Sequence, residues 1–277
     1  MNVFSNKICI VTGAASGIGK ALCEALANSG ASVIATDVNK EGLATSVEAI
    51  RQQGGKIRSE FLDVTEYESF ERLIEDTAVR DGRLDYLFNN AGITICGEAR
   101  DLDMDHWRNV LDVNLHGALN GSLAAYKFMV KQGFGHIVNL ASIQGLMVSP
   151  LEVPYVASKF AVVGLSQGLW VEGADLGVKV SVVCPGYVKT PMFDTSPMVN
   201  LERREVLNAY SAWERFSISP EVCARVILDG VARNKPIILV TGMAKFMWWL
   251  TRLFPTTVLK FSRKDFRKVR EKARIDK

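Results

Sequence analysis

A chain of 277 residues, 48% of them hydrophobic and 23% charged, is long enough for a sizeable core and too apolar for a disordered protein. A net charge of only +3 excludes the strongly basic balance of a nucleic-acid binder, and the excess is terminal: residues 260–277 hold nine Lys or Arg against three Asp or Glu, a balance of +6 that leaves −3 for residues 1–259. Five scattered cysteines without a Cys-x-x-Cys pair read as small core residues of a reducing compartment, and the three histidines make no metal-ligand cluster.

The N-terminus runs almost at once into an apolar strand, with no charged-then-apolar signal segment, so an intracellular, cytoplasmic and unprocessed protein is expected. That strand is Ile8-Cys9-Ile10-Val11, β-branched and too compact for a helix. Thr12-Gly13-Ala14-Ala15-Ser16-Gly17-Ile18-Gly19 follows, and then a helical pattern through Ala21, Leu22, Ala25 and Leu26 that ends at Gly30. Glycines between a strand and a helix either make an ordinary tight turn or let the backbone approach a pyrophosphate seated on the helix N-terminus.

Residues 32–37 form the second predicted strand. Its last residue, Asp37, stands 18 positions after Gly19. A carboxylate there either caps the helix beginning near Asn39 or bonds the ribose hydroxyls of a dinucleotide. In the second case it repels a 2′-phosphate, and neither Ser16 nor Val38 offers a compensating guanidinium, so NAD is expected over NADP, with Lys40 near enough to make NADP the alternative.

The pattern then repeats, with a helix over 41–53, a strand over 57–62, a helix over 67–80 and a strand over 84–88. Strands alternating with helices of this length predict βαβ units, hence an α/β fold with a doubly wound parallel sheet. Asp63-Val64 and Asn89-Asn90-Ala91-Gly92 stand directly after strands, at the sheet edge where ligands bind, although Asn-Asn-Ala-Gly is also a plain turn sequence. One long helical stretch is expected over 103–131, carrying Asn114 among apolar neighbours, where its amide must find partners. Residues 136–140 form the fifth strand, with Ser142 just past its end. Strands over 178–184, ended by Pro185-Gly186, and over 237–240 bring the sheet to seven, with a helix over 220–233 capped by Ser219 between them. No linker divides the chain, so one domain over 1–242 and an extension over 243–277 are expected.

Between the fifth and sixth strands lies Tyr155-Val156-Ala157-Ser158-Lys159. If Pro154 opens a helix, Tyr155 and Lys159 share one face a turn apart. The pair is either an ordinary surface contact or a tuned phenol. A Tyr hydroxyl titrates near pH 10, and lowering it by about three units takes roughly 4 kcal/mol, so an ammonium plus a second positive charge in a partly dry site is implied. An oxidised nicotinamide ring supplies such a charge.

Taken in order, Thr12 to Gly19 as Thr-Gly-x-x-x-Gly-x-Gly, Asn89 to Gly92 as Asn-Asn-Ala-Gly, and Tyr155 with Lys159 as Tyr-x-x-x-Lys, the chain resembles the short-chain dehydrogenase/reductase family over residues 7 to about 242. The resemblance implies a Rossmann-type fold, assembly as a homodimer or homotetramer, and hydride transfer between a dinucleotide and an alcohol or carbonyl. It also implies an active tetrad. Tyr155 is then the general acid/base, Ser142 positions the substrate oxygen, Lys159 lowers the Tyr155 pKa and holds the nicotinamide ribose, and Asn114 anchors a water that leads protons out. Cofactor contacts implied are Thr12, Gly13, Ser16, Gly17, Ile18, Gly19, Asp37, Asp63, Val64, Asn90, Ala91, Gly92, Tyr155 and Lys159, with Pro185, Gly186, Val188 and Thr190 beside the nicotinamide carboxamide. A non-catalytic dinucleotide sensor on the same fold is the alternative function.

Ile93, Ile143, Leu146, Met147, Val148, Leu151 and Val153, with Met192, Phe193 and Met198, predict an apolar alcohol or ketone as substrate. Residues 188–217, too long for a plain connection, are expected to form a substrate lid. In the extension, Phe246, Trp249, Leu250, Leu253 and Phe254 fall on one helical face that Pro255 ends. This face either packs on the body or a partner subunit, or lies on an anionic membrane surface with the basic segment behind it.

Overall fold

The computed structural model describes residues 3–275, apart from the side chains of 212 and 213. Parts of the expected domain and extension at 1–2 and 276–277 therefore lie outside the described residues. Strands β1 (Ile8–Thr12), β2 (Ser32–Asp37), β3 (Lys56–Phe61), β4 (Tyr86–Asn89), β6 (Gly135–Leu140), β7 (Val178–Cys184) and β9 (Ile237–Leu239) form one sheet in the order β3-β2-β1-β4-β6-β7-β9. Every pairing is parallel, and the register sets Ile10 beside Ile34 on one side and Leu87 on the other. Two strands of two residues each, β5 (Cys96–Gly97) and β8 (Met198–Val199), pair separately. They were not expected, because nothing in so short a run alternates.

A parallel sheet covered on both faces must be apolar on both, and alternate residues of the central strands divide accordingly. Cys9, Val11, Val33 and Ala35 face α1 (Gly17–Asn28), α2 (Lys40–Gln52) and α9 (Pro220–Ala232). Ile10, Ile34, Leu87 and Ile137 face α3 (Tyr67–Asp81), α5 (Gly117–Gln132) and α6 (Val153–Gly173). All five cysteines are free and buried.

The helix expected as continuous over 103–131 is interrupted. After α4 (Met104–Leu111) the chain makes a π-helical turn over Asp112–His116 before α5 begins. Asn114 lies in this wider turn, and its side-chain amide bonds another segment, a placement that periodicity cannot reveal. Residues 188–217 hold α7 (Met192–Thr195), β8 and α8 (Arg203–Glu214).

Pro255 ends α10 (Gly242–Leu253) and at once opens α11 (Pro255–Ala273), a helix that the sequence reading did not anticipate. Proline lacks an N–H that a first helical turn does not need, so the same residue stops one helix and starts another. Helix α11 packs back on α8 through Phe266, Val269 and Ala273, which join Cys96, Leu151, Leu201 and Val206 in one cluster. Three ion pairs fasten its end: Arg270 Nε lies 3.0 Å from Glu98 Oε1, and Arg274 Nη1 lies 3.4 Å from the same oxygen and 2.6 Å from Asp101 Oδ2.

Candidate active site

The strand order reverses direction at β1, with β2 on one side and β4 on the other. At such a switch point the loops after the strands part and leave a crevice at their C-terminal ends. A cavity of about 1240 Å³ occupies it and runs from the loop after β1 to helices α10 and α11. Its wall includes Gly13, Ser16, Gly17, Ile18, Asp37, Asp63, Val64, Asn90, Ala91, Gly92, Ser142, Tyr155, Lys159, Pro185, Gly186, Val188 and Thr190.

Three expected residues do not line it: Thr12, Gly19 and Asn114. Each works from behind. The Thr12 Oγ1 accepts from the N–H groups of Asn90 and Ala91, both at 3.0 Å, and Asn90 Nδ2 donates back to the Thr12 carbonyl at 2.8 Å. These bonds bring the loops after β1 and β4 together, and glycine is required where they touch. Gly13 has φ +66°, and a Cβ there would stand 2.9 Å from Ala91 Cα; a Cβ at Gly19 would strike the Gly13 carbonyl. The first-turn N–H groups of α1 receive no capping bond from Ser16, and the turn holds no acidic side chain. This glycine-lined helix N-terminus, free of acidic side chains in its first turn, fits a pyrophosphate.

Asp37 closes the other end of that loop. Its Oδ2 accepts from Ala15 N–H at 3.0 Å and its Oδ1 from Asn39 N–H at 2.9 Å, while the capping of α2 falls to Asn39, whose Oδ1 accepts from Gly42 N–H. The Asp37 carboxylate is therefore fixed in place at the cavity wall. Lys40 sits over the Phe61 ring at 4.7 Å. Asp63 is held by Thr65 through the backbone N–H at 3.0 Å and the hydroxyl at 2.8 Å.

Helix α6 carries Tyr155 and Lys159 one turn apart, with Pro154 in its first turn. Both are buried. The Lys159 ammonium donates to the Leu140 carbonyl at 3.0 Å and lies 5.4 Å from the Tyr155 ring centre. The Ser142 hydroxyl is bonded to Tyr155 and also accepts from Gln144 N–H at 3.1 Å. Burial pulls the Lys159 ammonium down to about 8. Burial likewise pushes the Tyr155 phenol well above its ordinary value; the charge of Glu152 adds to this, and the Ser142 bond works against it. In the protein by itself burial sets the direction of the Tyr155 shift, and the Lys159 ammonium is engaged by the Leu140 carbonyl.

Asn114 is buried, and its amide grips the chain at Ile93: Oδ1 accepts from Ile93 N–H at 2.8 Å and Nδ2 donates to Ile93 O at 2.9 Å. The same Nδ2 donates to Ser158 Oγ at 3.1 Å, and that hydroxyl donates to the Tyr155 carbonyl at 2.7 Å. Asn114 therefore ties the loop after β4 to the turn that carries Tyr155. A Cβ at Gly92 would stand 3.1 Å from Asn114 Oδ1 and 3.3 Å from Lys159 Nζ, so the bare glycine keeps open the space above them.

Of the apolar residues expected near the substrate, Ile93, Ile143, Met147, Val148, Leu151, Met192 and Phe193 line the cavity. Leu146 packs instead against the core around Val162 and Val182, Met198 joins the cluster of Leu151 and Val206, and Val153 is exposed. Glu152 escaped the sequence reading. It is fully buried, and its carboxylate accepts from Thr94 Oγ1 at 2.9 Å, Gln144 Nε2 at 2.8 Å and Tyr210 Oη at 3.1 Å. One signal could have found it: a lone carboxylate in the otherwise apolar run from Leu146 to Val153.

Residues 7–198 match the family model for the short chain dehydrogenase. The chain belongs to the short-chain dehydrogenase/reductase family. Among relatives of this dehydrogenase, the 3-oxoacyl-[acyl-carrier-protein] reductase FabG of Thermotoga maritima is 37% identical over 80% of this chain and 89% of its own. The putative oxidoreductase SadH of Mycobacterium tuberculosis is 32% identical over 91% and 92%. Of solved structures, a short-chain dehydrogenase/reductase from Burkholderia phymatum in complex with NAD superposes with a TM-score of 0.82, 28% identity and coverage of 90% of this chain and 94% of that one. The seven-stranded parallel sheet flanked by helices is thus that of its family, and the protein is an oxidoreductase.

Proposed function

We propose that this enzyme interconverts an apolar alcohol and its ketone or aldehyde with NAD, using Tyr155 as general acid/base. The observation that carries the reading is the constellation of buried Tyr155 and Lys159 with half-buried Ser142 on the wall of the glycine-lined crevice. The crevice residues from Gly13 to Ile18, with Asp37, Asn90 and Thr190, would hold NAD(H), which would supply the acceptor or donor of the hydride exchanged with the substrate carbon. The fixed Asp37 carboxylate suits two free ribose hydroxyls and disfavours a phosphate, which supports NAD over NADP.

In the reducing direction the carbonyl oxygen gains negative charge as the bond order falls. The Tyr155 hydroxyl, held protonated by burial, donates its proton to that oxygen, and Ser142 orients the oxygen beside it. In the oxidising direction Tyr155 must first lose its proton, and Lys159 stabilises the charge left behind. Asn114 keeps the Tyr155 turn and the loop after β4 in register without touching the substrate. That the Thermotoga relative is a 3-oxoacyl-[acyl-carrier-protein] reductase supports the reducing direction.

Among the described residues no arginine lines the cavity, and its aliphatic and aromatic wall near Tyr155 supports an apolar substrate. Exposed Phe160, Trp170 and Val171 on α6, with Leu123 on α5, support assembly as a homodimer or homotetramer. We read residues 188–217 as the substrate lid and 243–277 as an extension of the dehydrogenase domain. The deciding experiment is turnover of a panel of steroid, retinoid, fatty and aromatic alcohols and ketones with NAD(H) and NADP(H). A protein that binds NAD yet turns over none of them would instead be a dinucleotide sensor.

A further inference from the structure

An amphipathic helix on a soluble protein turns its apolar stripe to the core. Helix α10 does the reverse. Ala244 is buried and Met247 and Leu250 are half-buried against the cavity, while Phe246, Trp249 and Leu253 point outward at 60%, 57% and 64% exposure. Phe254, at the junction, is 56% exposed, and Leu259 and Phe261 on α11 are 51% and 70% exposed. Of the face expected to pack on the body or a partner subunit, Leu250 is half-buried at the cavity, while Phe246, Trp249, Leu253 and Phe254 are exposed.

Two further features say what covers the stripe. First, it is continuous with the cavity, because Phe246 and Phe261 belong both to the exposed face and to the cavity wall. Second, its flanks are basic: Lys245, Arg252, Lys260, Arg263, Lys264 and Arg267 are all exposed. The Arg252 guanidinium lies 5.0 Å from the Trp248 ring, so cations and indoles occur at the same level. Tryptophan flanked by lysine and arginine suits the boundary between acyl chains and anionic headgroups. Among the described residues no helix is long and apolar enough to cross a bilayer, so such a contact lies on the surface.

We infer that the α10–α11 corner docks on an anionic lipid surface, setting the cavity mouth against the leaflet. A protein seated on the same face would cover the mouth that Phe246 and Phe261 rim. A leaflet seals that mouth from water and leaves it open to apolar molecules dissolved in the lipid.

The test is co-sedimentation of the full chain with phosphatidylglycerol/phosphatidylcholine vesicles and with phosphatidylcholine vesicles alone, at low and at high salt. Binding is read without turnover, so the outcome is independent of the reaction assigned above. The wild type is expected to bind the anionic vesicles at least tenfold better than the neutral ones, and to lose most of that margin at high salt, where headgroup contacts are screened. Trp249→Glu with Leu253→Glu changes exposed side chains outside the cavity wall, so fold and turnover of a water-soluble substrate should persist while vesicle binding falls at least tenfold. Arg263→Gln with Arg267→Gln should weaken only the anionic, salt-sensitive part. Wild-type binding no stronger than that of the variants overturns the inference. So does a wild type that ignores both kinds of vesicle but is a larger oligomer than Trp249→Glu/Leu253→Glu, since the face would then join two copies of the chain.

Discussion

Tyr210 on α8 donates its hydroxyl to the buried carboxylate of Glu152, at 3.1 Å, and so fastens the middle of residues 188–217 to the residue that precedes α6. Burial pushes the Glu152 carboxyl up, and the three donors from Gln144, Thr94 and Tyr210 oppose that shift. Arg203 braces the start of the same helix by donating to the Phe193 carbonyl at 2.9 Å and the Ser196 carbonyl at 2.6 Å.

If residues 188–217 close over the substrate, the Glu152–Tyr210 bond favours the closed form. A hydrogen bond to a charged group is worth about 1.5–3 kcal/mol. Tyr210→Phe is therefore expected to raise KM for an apolar substrate roughly tenfold, which corresponds to about 1.4 kcal/mol, with kcat changed much less. Limited proteolysis within 188–217 should speed up in the variant and slow again when cofactor and substrate are added. Cleavage at one rate in every condition would remove the case for a lid.

The second expectation concerns the proton. Tyr155→Phe keeps the ring in its cluster with Ile95, Leu102 and Val110 but removes the hydroxyl, so turnover should fall by about 10³-fold while NAD binding is nearly retained. Because burial raises the Tyr155 pKa, the wild type holds a phenol at neutral pH. Oxidation needs the phenolate and should rise with pH up to 10; reduction needs the phenol, which the raised pKa preserves over the same range, so reduction should not be lost through Tyr155 ionisation there. Steady-state rates in both directions across pH 6–10 check the sign, and a variant retaining more than a tenth of the activity would rule out Tyr155 as the acid/base.

Much of this site was readable before the fold was known, wherever chemistry follows from short spacing. Tyr155 and Lys159 share a face because they are four apart on a helix opened by Pro154, and Asp37 reaches the crevice because it ends a strand next to the glycine-rich turn. Residues whose meaning depends on distant partners were not readable. Glu152 gathers donors from positions 94, 144 and 210, and β5 meets β8 across a hundred residues. Asn114, in the π-helical turn, meets the backbone of Ile93 through its side chain, a partner that no pattern around position 114 encodes. Helix α11 was hidden because its packed residues, Val258, Phe266, Val269 and Ala273, are few and scattered among charges, and because Pro255 reads equally as an end and as a beginning.

Cofactor preference rests on Asp37. Its two carboxylate oxygens already accept from Ala15 and Asn39, so the side chain is ordered before a ligand arrives, and a 2′-phosphate would meet a fixed negative charge. Asp37→Ser should weaken NAD binding about tenfold, roughly 1.4 kcal/mol, and narrow the preference over NADP chiefly by that loss. Isothermal titration with both dinucleotides measures it. Equal affinity of the wild type for the two would point to Lys40 as a phosphate partner.

The last prediction uses the buried cation as a probe of stability. In the unfolded chain Lys159 holds its proton up to about pH 10.4, whereas burial lowers the folded value to about 8. Between those values the unfolded state binds more protons, so stability rises with pH. Below pH 8 the folded protein carries the full penalty, about 3 kcal/mol for a shift of this size, and by pH 10.5 the penalty is gone. Lys159→Met keeps a chain of similar length and cannot titrate. Apart from Cys184, whose thiol the Lys159 charge lowers against a larger rise from burial, the other groups change alike in both proteins, so urea unfolding should show the wild type gaining on Lys159→Met from pH 8 to 10.5. The variant also loses the bond to the Leu140 carbonyl, but that loss does not vary with pH and shifts only the baseline. A stability difference that stays flat across the window would mean that Lys159 titrates alike folded and unfolded, and that its ammonium is not held in a dry site.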